Sequence, residues 1–413
     1  MRRIYDLLYL LCFLPIFAVV RGLAAILSLV RFKSLIKMAH RALGVKNRVL
    51  YLEAFFPENA GYHYRTQKWI DILNENGYSA RAKYVFEKER FEILINRQRV
   101  VAFHLISLLW RICQCLSAVS YNFVIVRREL LLFNDYGDLF LERFLLALHP
   151  RVILDFDDDI SAAKREPRHV SLYGRLMFES PSKFRASLKM YGRFIVGTDY
   201  LKQQVLRSNG EVSESDILVI PTCVDYYRHA PKSYGGINGC IQFGWIGTTG
   251  NLPLLDIVIP PLNSIAKDHK IRLIVISGAE YKPEANFEVI NLPWSLSSEV
   301  DDLRQIDVGL MPLAGTDEDR GKCGFKLLQY MGLGIVNIAS AVTVNEQIVQ
   351  DGRDGFLVRS ESDWERVLRG MLANSNSEAF SEIGARARAK VRERFSYEAH
   401  TRRYIDFLKG RVA

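Results

Sequence analysis

Residues 321–340 read GKCGFKLLQYMGLGIVNIAS. A glycine-rich turn leads into a short amphipathic helix, and the apolar run GIVNIA that follows has the composition of a buried strand. The turn and helix start present the backbone N–H groups around Gly324 and Phe325 and the positive end of the helix dipole. Lys322 and Lys326 add two ammonium charges. This is a pattern suited to a diphosphate.

Working outward, IQFGWI at 241–246 enters the loop GTTGN and a helix from Leu252. IRLIVISG, FEVINL, VGLMPL, GIVNIA and GFLV supply five further strands between helices, so a Rossmann-like domain is expected over 240–395. Upstream, RVLYLEAFFPENAGYHYRTQKWIDILNENGYSARAKYVF reads strand, glycine turn, helix, strand. Apolar strands recur at Phe123–Val126, Val152–Phe156, Phe194–Val196 and Ile217–Ile220, separated by helical stretches at Val101–Val119 and Asp138–Leu148. A second Rossmann-like domain is therefore expected over 47–228, with a Gly-, Pro- and Ser-containing linker at 229–239. The stretch from Glu378 to Leu408 reads as helical with a break near Ser396, and residues 396–413 are expected to cross back to the first domain. The fold class is α/β, two Rossmann-like domains preceded by a membrane-associating helical segment at 1–46.

A chain of 413 residues with 49% hydrophobic and 11% aromatic content has ample material for two cores. Its six cysteines are scattered without CxxC grammar and read as reduced thiols. The net charge of +9 is concentrated: residues 1–50 carry nine basic residues against Asp6 alone, leaving +8 there. These cations lie beside apolar residues and not on a folded basic face, so nucleic acid is not expected as a partner. Leu7–Val20 is uncharged but contains Pro15, and at ~1.5 Å per residue it falls short of a ~30 Å hydrocarbon core. A re-entrant or interfacial anchor on an anionic membrane surface fits this better than a span. Should residues 4–30 span with Arg21 tolerated, the six basic residues from Arg31 to Arg48 hold the body inside, and in either case it is expected on the cytoplasmic face. No small-x-small cleavage site follows Val20, which argues against a signal peptide.

Two nucleotide-binding alternatives fail on spacing. The first strand runs into PENAGYHYR, with no G-x-G-x-x-G for a dinucleotide. GTDEDRGKC at 315–323 has five residues between its glycines, a Cys where Ser or Thr would hold magnesium, and three acids that repel phosphate.

The run DVGLMPL, GKCGFKLLQYMGLGIVNIAS and VNEQIVQDGRDGFLV resembles the donor-binding segment of family 4 glycosyltransferases. Weaker similarity in the first half comes from the strand, Pro57, glycine turn and Arg65 at its start, and from VGTDYLKQQ and IPTCVD. The resemblance implies the two-domain GT-B fold, a nucleotide-diphosphate sugar as donor, retention of anomeric configuration, and neither an essential metal nor a cofactor. The family usually has Glu, seven residues and Glu in this segment. Here Gly321 and Gln329 occupy those positions. By the resemblance Gln329 meets the ribose, while Gly247, Thr248 and Thr249 stand where the family places an Arg and a Lys toward the diphosphate. Lys322 and Lys326 then take over the cationic role. Asn345, in the turn opposite the lysine helix, is a further candidate for the diphosphate or a helix cap.

At the end of a buried strand, Asp155-Phe-Asp157-Asp158-Asp159 crowds four carboxylates that require counter-charge or a cation. Asp-x-Asp is also the metal signature of single-domain GT-A transferases, but the complete second Rossmann domain opposes that fold. In the GT-B reading Asp157 or Asp158 falls where the family often carries a catalytic His, and Asp159 suits a cap for a helix at Ile160–Ala163. Gly61, His63 and Arg65 are candidates for the acceptor side, and Trp294 and Ser295 for the base. The function expected is sugar transfer to a lipid-linked or polysaccharide acceptor in bacterial surface polysaccharide synthesis. The alternative is a degenerate nucleotide-sugar-binding scaffold.

Overall fold

The computed structural model describes residues 2–96, 100–132, 139–159, 181–225, 230–234, 239–373 and 377–410. The chain divides into two compact units, Met1–Ile220 with Arg403–Ala413, and Pro221–Arg402. Each contains one six-stranded, wholly parallel sheet.

The first unit opens with helix α1 (Arg2–Leu29) and helix α2 (Phe32–Ala42). α1 passes unbroken through Pro15, where the sequence suggested an interruption. Proline removes one internal hydrogen bond; burial of Phe13, Val20 and Ala24 holds the helix together across it. The sheet comprises β1 (Arg48–Leu52), β2 (Ser79–Lys83), β3 (Phe123–Arg127), β4 (Val152–Phe156), β5 (Phe194–Val196) and β6 (Ile217–Val219), in the order β2-β1-β3-β4-β5-β6. Its central strands are buried on both faces, which is why FVIVR and VILDF lack polar alternation. Helices α3 (Val100–Ser117) and α4 (Phe140–Leu148) cover this core. Among the described residues, segments of α1 and α3 are long and apolar enough to cross a membrane.

The second sheet comprises β7 (Ile241–Ile246), β8 (Ile271–Ser277), β9 (Glu288–Pro293), β10 (Val308–Met311), β11 (Val336–Ser340) and β12 (Phe356–Val358), in the order β12-β11-β10-β7-β8-β9. The order reverses direction between β7 and β10, and ligands of such sheets bind outside the strand carboxyl ends at that point. Helix α5 (Phe325–Gly332) packs across it. The Tyr330 hydroxyl accepts from Ile246 N at 3.2 Å and donates to Leu310 O at 3.3 Å, fixing α5 to both strands. Of the expected linker, residues 229 and 235–238 lie outside the described residues, as does the helix expected at Ile160–Ala163. Lys232 and Tyr234 are tied to the second unit through Lys232 N to Leu333 O and Val336 N to Tyr234 Oη.

The terminal helix α6 (Tyr397–Leu408) brings Tyr404 to the first unit. There its ring stacks on Trp69 at 4.4 Å and its hydroxyl lies 2.6 Å from that of Tyr51.

Candidate active site

In the second unit the loop after β7 and the start of α5 meet at the reversal point. Lys326 Nζ stands 5.4 Å from the ring centroid of Trp245, a cation–π contact with the penultimate residue of β7. A Cβ on Gly247 would fall 2.5 Å from that ring and 2.7 Å from Lys326 Cε, so only glycine lets the lysine stem lie over the strand end. Gly324 begins α5 with φ 71°, and a Cβ there would meet Ile348 at 2.5 Å. Behind it Asn345 is fully buried: its Nδ2 donates to Ser340 O at 2.9 Å, and its Oδ1 has no hydrogen-bond partner among the described residues.

The other expected donor residues behave differently. Lys322 Nζ lies 3.1 Å from Asp319 Oδ1 and 3.1 Å from Asn251 Oδ1, so its charge is balanced within the unit. The Gly247 N–H donates to Ile276 O and the Thr248 hydroxyl accepts from Asn251 Nδ2. Thr249 opens the 3₁₀ segment Thr249–Ile257. Gln329 points its amide to Glu299: Nε2 donates to Oε1 at 2.8 Å, while Trp294 Nε1 donates to Oε2 at 2.6 Å. Phe325 is the first residue of α5. A buried carboxylate, Glu299, thus lies beside the position where a Glu was missing from the sequence pattern. Sequence reading passed over it because it precedes its neighbour by 30 residues. Gln329→Leu removes one charge-assisted hydrogen bond from this buried carboxylate and is expected to cost about 1.5–3 kcal/mol, measured as a fall in melting midpoint on denaturant titration.

In the first unit the aspartate cluster sits within a network of arginines at the strand carboxyl ends. Arg65 is 1% exposed; its Nε and Nη2 both donate to Asp155, the latter at 2.8 Å, and its Nη1 donates to Ile220 O at 2.6 Å. Arg65 therefore serves as the counter-charge of Asp155 and not as a lining residue of the acceptor side. Arg127 Nη2 donates to Asp157 Oδ1 at 2.5 Å, and the negative neighbours hold the Arg127 pKa above its ordinary value despite burial. Asp158 is exposed, and Asp159 Oδ2 accepts from Gln204. The crowding of carboxylates is thus relieved by Arg65 and Arg127. No group of three or more potential metal ligands occurs among the described residues. Gly61 N donates to the Asn59 side chain, and the His63 ring lies edge-on to Tyr64 at 4.8 Å.

Sequence reading also missed Glu53, at the carboxyl end of β1. It is 1% exposed and accepts from Thr66 Oγ1 at 2.7 Å. Burial pushes its pKa up to about 7, against the lowering effect of Arg127 and Thr66. Between an ordinary value near 4.5 and about 7 the folded chain keeps a proton that the unfolded chain has released, so stability falls as pH rises through that window. Glu53→Gln, which carries no charge to desolvate, is expected to flatten this slope. It should gain on the order of 3 kcal/mol over the natural protein between pH 5 and pH 8, read from melting curves across that range.

Comparison with known proteins bears on the fold. Residues 243–374 match the family described as Glycosyl transferases group 1. No curated protein sequence matches the chain. HepE of Anabaena, solved in complex with UDP and glucose, is 12% identical with a TM-score of 0.60, covering 87% of this chain and 99% of its own. The sucrose-phosphate synthase of Thermosynechococcus elongatus is 12% identical with a TM-score of 0.62, covering 88% and 98%. The catalytic domain of starch synthase IV from Arabidopsis thaliana, bound to ADP and acarbose, is 11% identical with a TM-score of 0.61, covering 88% and 99%. Two parallel six-stranded sheets and these likenesses give the GT-B fold.

Proposed function

We propose that this chain, a glycosyltransferase of GT-B fold whose second unit matches glycosyl transferases group 1, moves a sugar from a nucleoside-diphosphate donor to a lipid-linked or polysaccharide acceptor, with retention of configuration. The observation that carries this reading is Lys326, set over Trp245 and Gly247 at the reversal point of the second sheet. In the reaction the bond from the anomeric carbon to the diphosphate oxygen breaks. An acceptor oxygen bonds to the same carbon on the same face, and its proton leaves with the diphosphate. Negative charge grows on that leaving group, and Lys326 is the cation that meets it, with Lys322 as an outer charge. The second unit's Glu299–Gln329 pair borders the nucleotide and Asn345 backs the Gly324 turn, while Asp157 or Asp158 is the first unit's candidate for the acceptor. No resident metal or cofactor enters this scheme. The basic apolar amino terminus attaches the protein to the cytoplasmic face of the membrane, which fits synthesis of a bacterial surface polysaccharide.

Melting of the purified protein against a panel of nucleotide sugars, with and without magnesium, tests the donor. Stabilisation by one nucleoside-diphosphate sugar without magnesium supports the reading. No response to any donor overturns it, and a response only with magnesium overturns the metal-free scheme. The pairing of Lys322 with Asp319 favours one second reading, a scaffold that binds a nucleotide sugar without turning it over. Release of nucleoside diphosphate in the presence of a membrane extract distinguishes the two.

A further inference from the structure

α1 has two faces of different fate. Phe13, Val20 and Ala24 form a buried stripe, with Ile16, Phe17 and Leu27 packed beside it. The rings of Phe13 and Phe17 meet Phe140 of α4 edge-on at 5.6 and 4.9 Å. At about 100° per residue, Leu11, Val19, Ile26 and Leu29 point the other way, and every one is more than half exposed. α3 packs against α1 and repeats the arrangement: Leu109, Trp110 and Leu116 share one helix face and are at least half exposed. Apolar surface of this extent marks an interaction site.

Charge identifies the occupant. Arg31, Lys33, Lys37 and Arg41 follow α1 directly and are exposed, and no acidic residue occurs between Asp6 and Glu53. Two copies meeting through such a surface would bring like charges together, whereas anionic headgroups complement it. A helix crossing the bilayer would have to leave α4 along the stripe from Phe13 to Leu27, about 20 Å of its length. Arg21 lies 5.8 Å from the Phe17 ring, beside the docked face, from where its stem reaches headgroups. In a crossing helix the same charge would sit within hydrocarbon.

Resting on the membrane attachment proposed above, we infer that α1 lies in the plane of an anionic lipid bilayer without crossing it, and that the outer face of α3 is a second, independent lipid contact. The unit is then monotopic, held by two helix faces and flanked by the cations of α2.

Cys12 on α1 and Cys113 on α3 are both exposed and serve as native probes, with Cys240 of the second unit as reference. The full chain is labelled with a membrane-impermeant maleimide, resolved by peptide mass spectrometry, with and without phosphatidylglycerol-containing vesicles. Labelling of Cys12 and Cys113 is expected to slow at least tenfold on the vesicles, with Cys240 unchanged. An unchanged Cys113 rate overturns the second contact. Equal slowing on pure phosphatidylcholine overturns the anionic partner, and concentration-dependent slowing without lipid overturns the bilayer in favour of self-association. An added cysteine, Arg3→Cys, that reacts only after detergent opens the vesicles overturns the in-plane geometry. Trp110→Asp with Leu116→Asp, both at exposed positions, is expected to weaken vesicle binding at least tenfold while donor turnover in detergent stays intact. Loss of donor turnover in the natural protein would instead count against the transferase reading, so the two failures are separable.

Discussion

Lys326→Ala is expected to lower sugar transfer about 10²–10³-fold, the usual consequence of removing one preorganised group from developing negative charge. The ammonium is positioned by two features at the end of β7: the Trp245 ring beneath it and the bare Cα of Gly247 beside its stem. Because in the proposed reaction the leaving diphosphate gains charge as its bond to the sugar breaks, the loss should fall mainly on kcat, with KM for the donor changed far less. Lys326→Arg keeps the cation and should retain part of the rate. Steady-state kinetics with a saturating donor read the result, and an unchanged kcat in the alanine variant would remove Lys326 from the reaction. Lys322→Ala is the control: its charge is already balanced by Asp319, so the rate should fall much less.

Arg65→Leu is expected to destabilise the first unit by about 3–5 kcal/mol, because it leaves Asp155 buried without its principal counter-charge. Three guanidinium nitrogens of Arg65 are engaged, two with Asp155 and one with Ile220 O at the end of the unit. Arg127 remains, but its Nε is 3.9 Å from Asp155 and its Nη2 is bonded to Asp157. For a unit of this size the melting temperature should fall by roughly 6–20 °C. Replacing both partners, Arg65→Leu with Asp155→Leu, should recover much of that loss, since a buried pair exchanged for apolar groups is often nearly neutral. A double variant no more stable than Arg65→Leu would show that the arginine acts through Ile220 and not through Asp155. Calorimetric melting of the three variants provides the comparison.

These two sites differ in how far they were legible from residues alone. GKCGFKLLQYM announces a turn, a helix and two lysines, because glycine and lysine have local consequences that spacing reveals. Which lysine faces the strand end depends on α5 resting on β7 and β10 through Tyr330, a contact 84 residues long. Likewise the pairing of the Gln329 amide with Glu299, 30 residues away, is visible only in the folded chain. The aspartate run signalled a need for compensating charge, and that need is real. In the structure Arg65 and Arg127, on different elements of the chain, supply counter-charge to Asp155 and Asp157.

What the sequence determined by itself is the alternation of apolar strands and helices, and with it two parallel α/β units, because fully buried strands must be apolar along their whole length. It determined equally that cations gather at an apolar amino terminus. Only the tertiary structure decided which charges are paired, how α1 divides into a docked and an exposed face, and that β7 and β10 are neighbours at the reversal of the second sheet. Such facts depend on contacts between residues far apart in the chain, where short-range spacing carries no information and packing selects the partner.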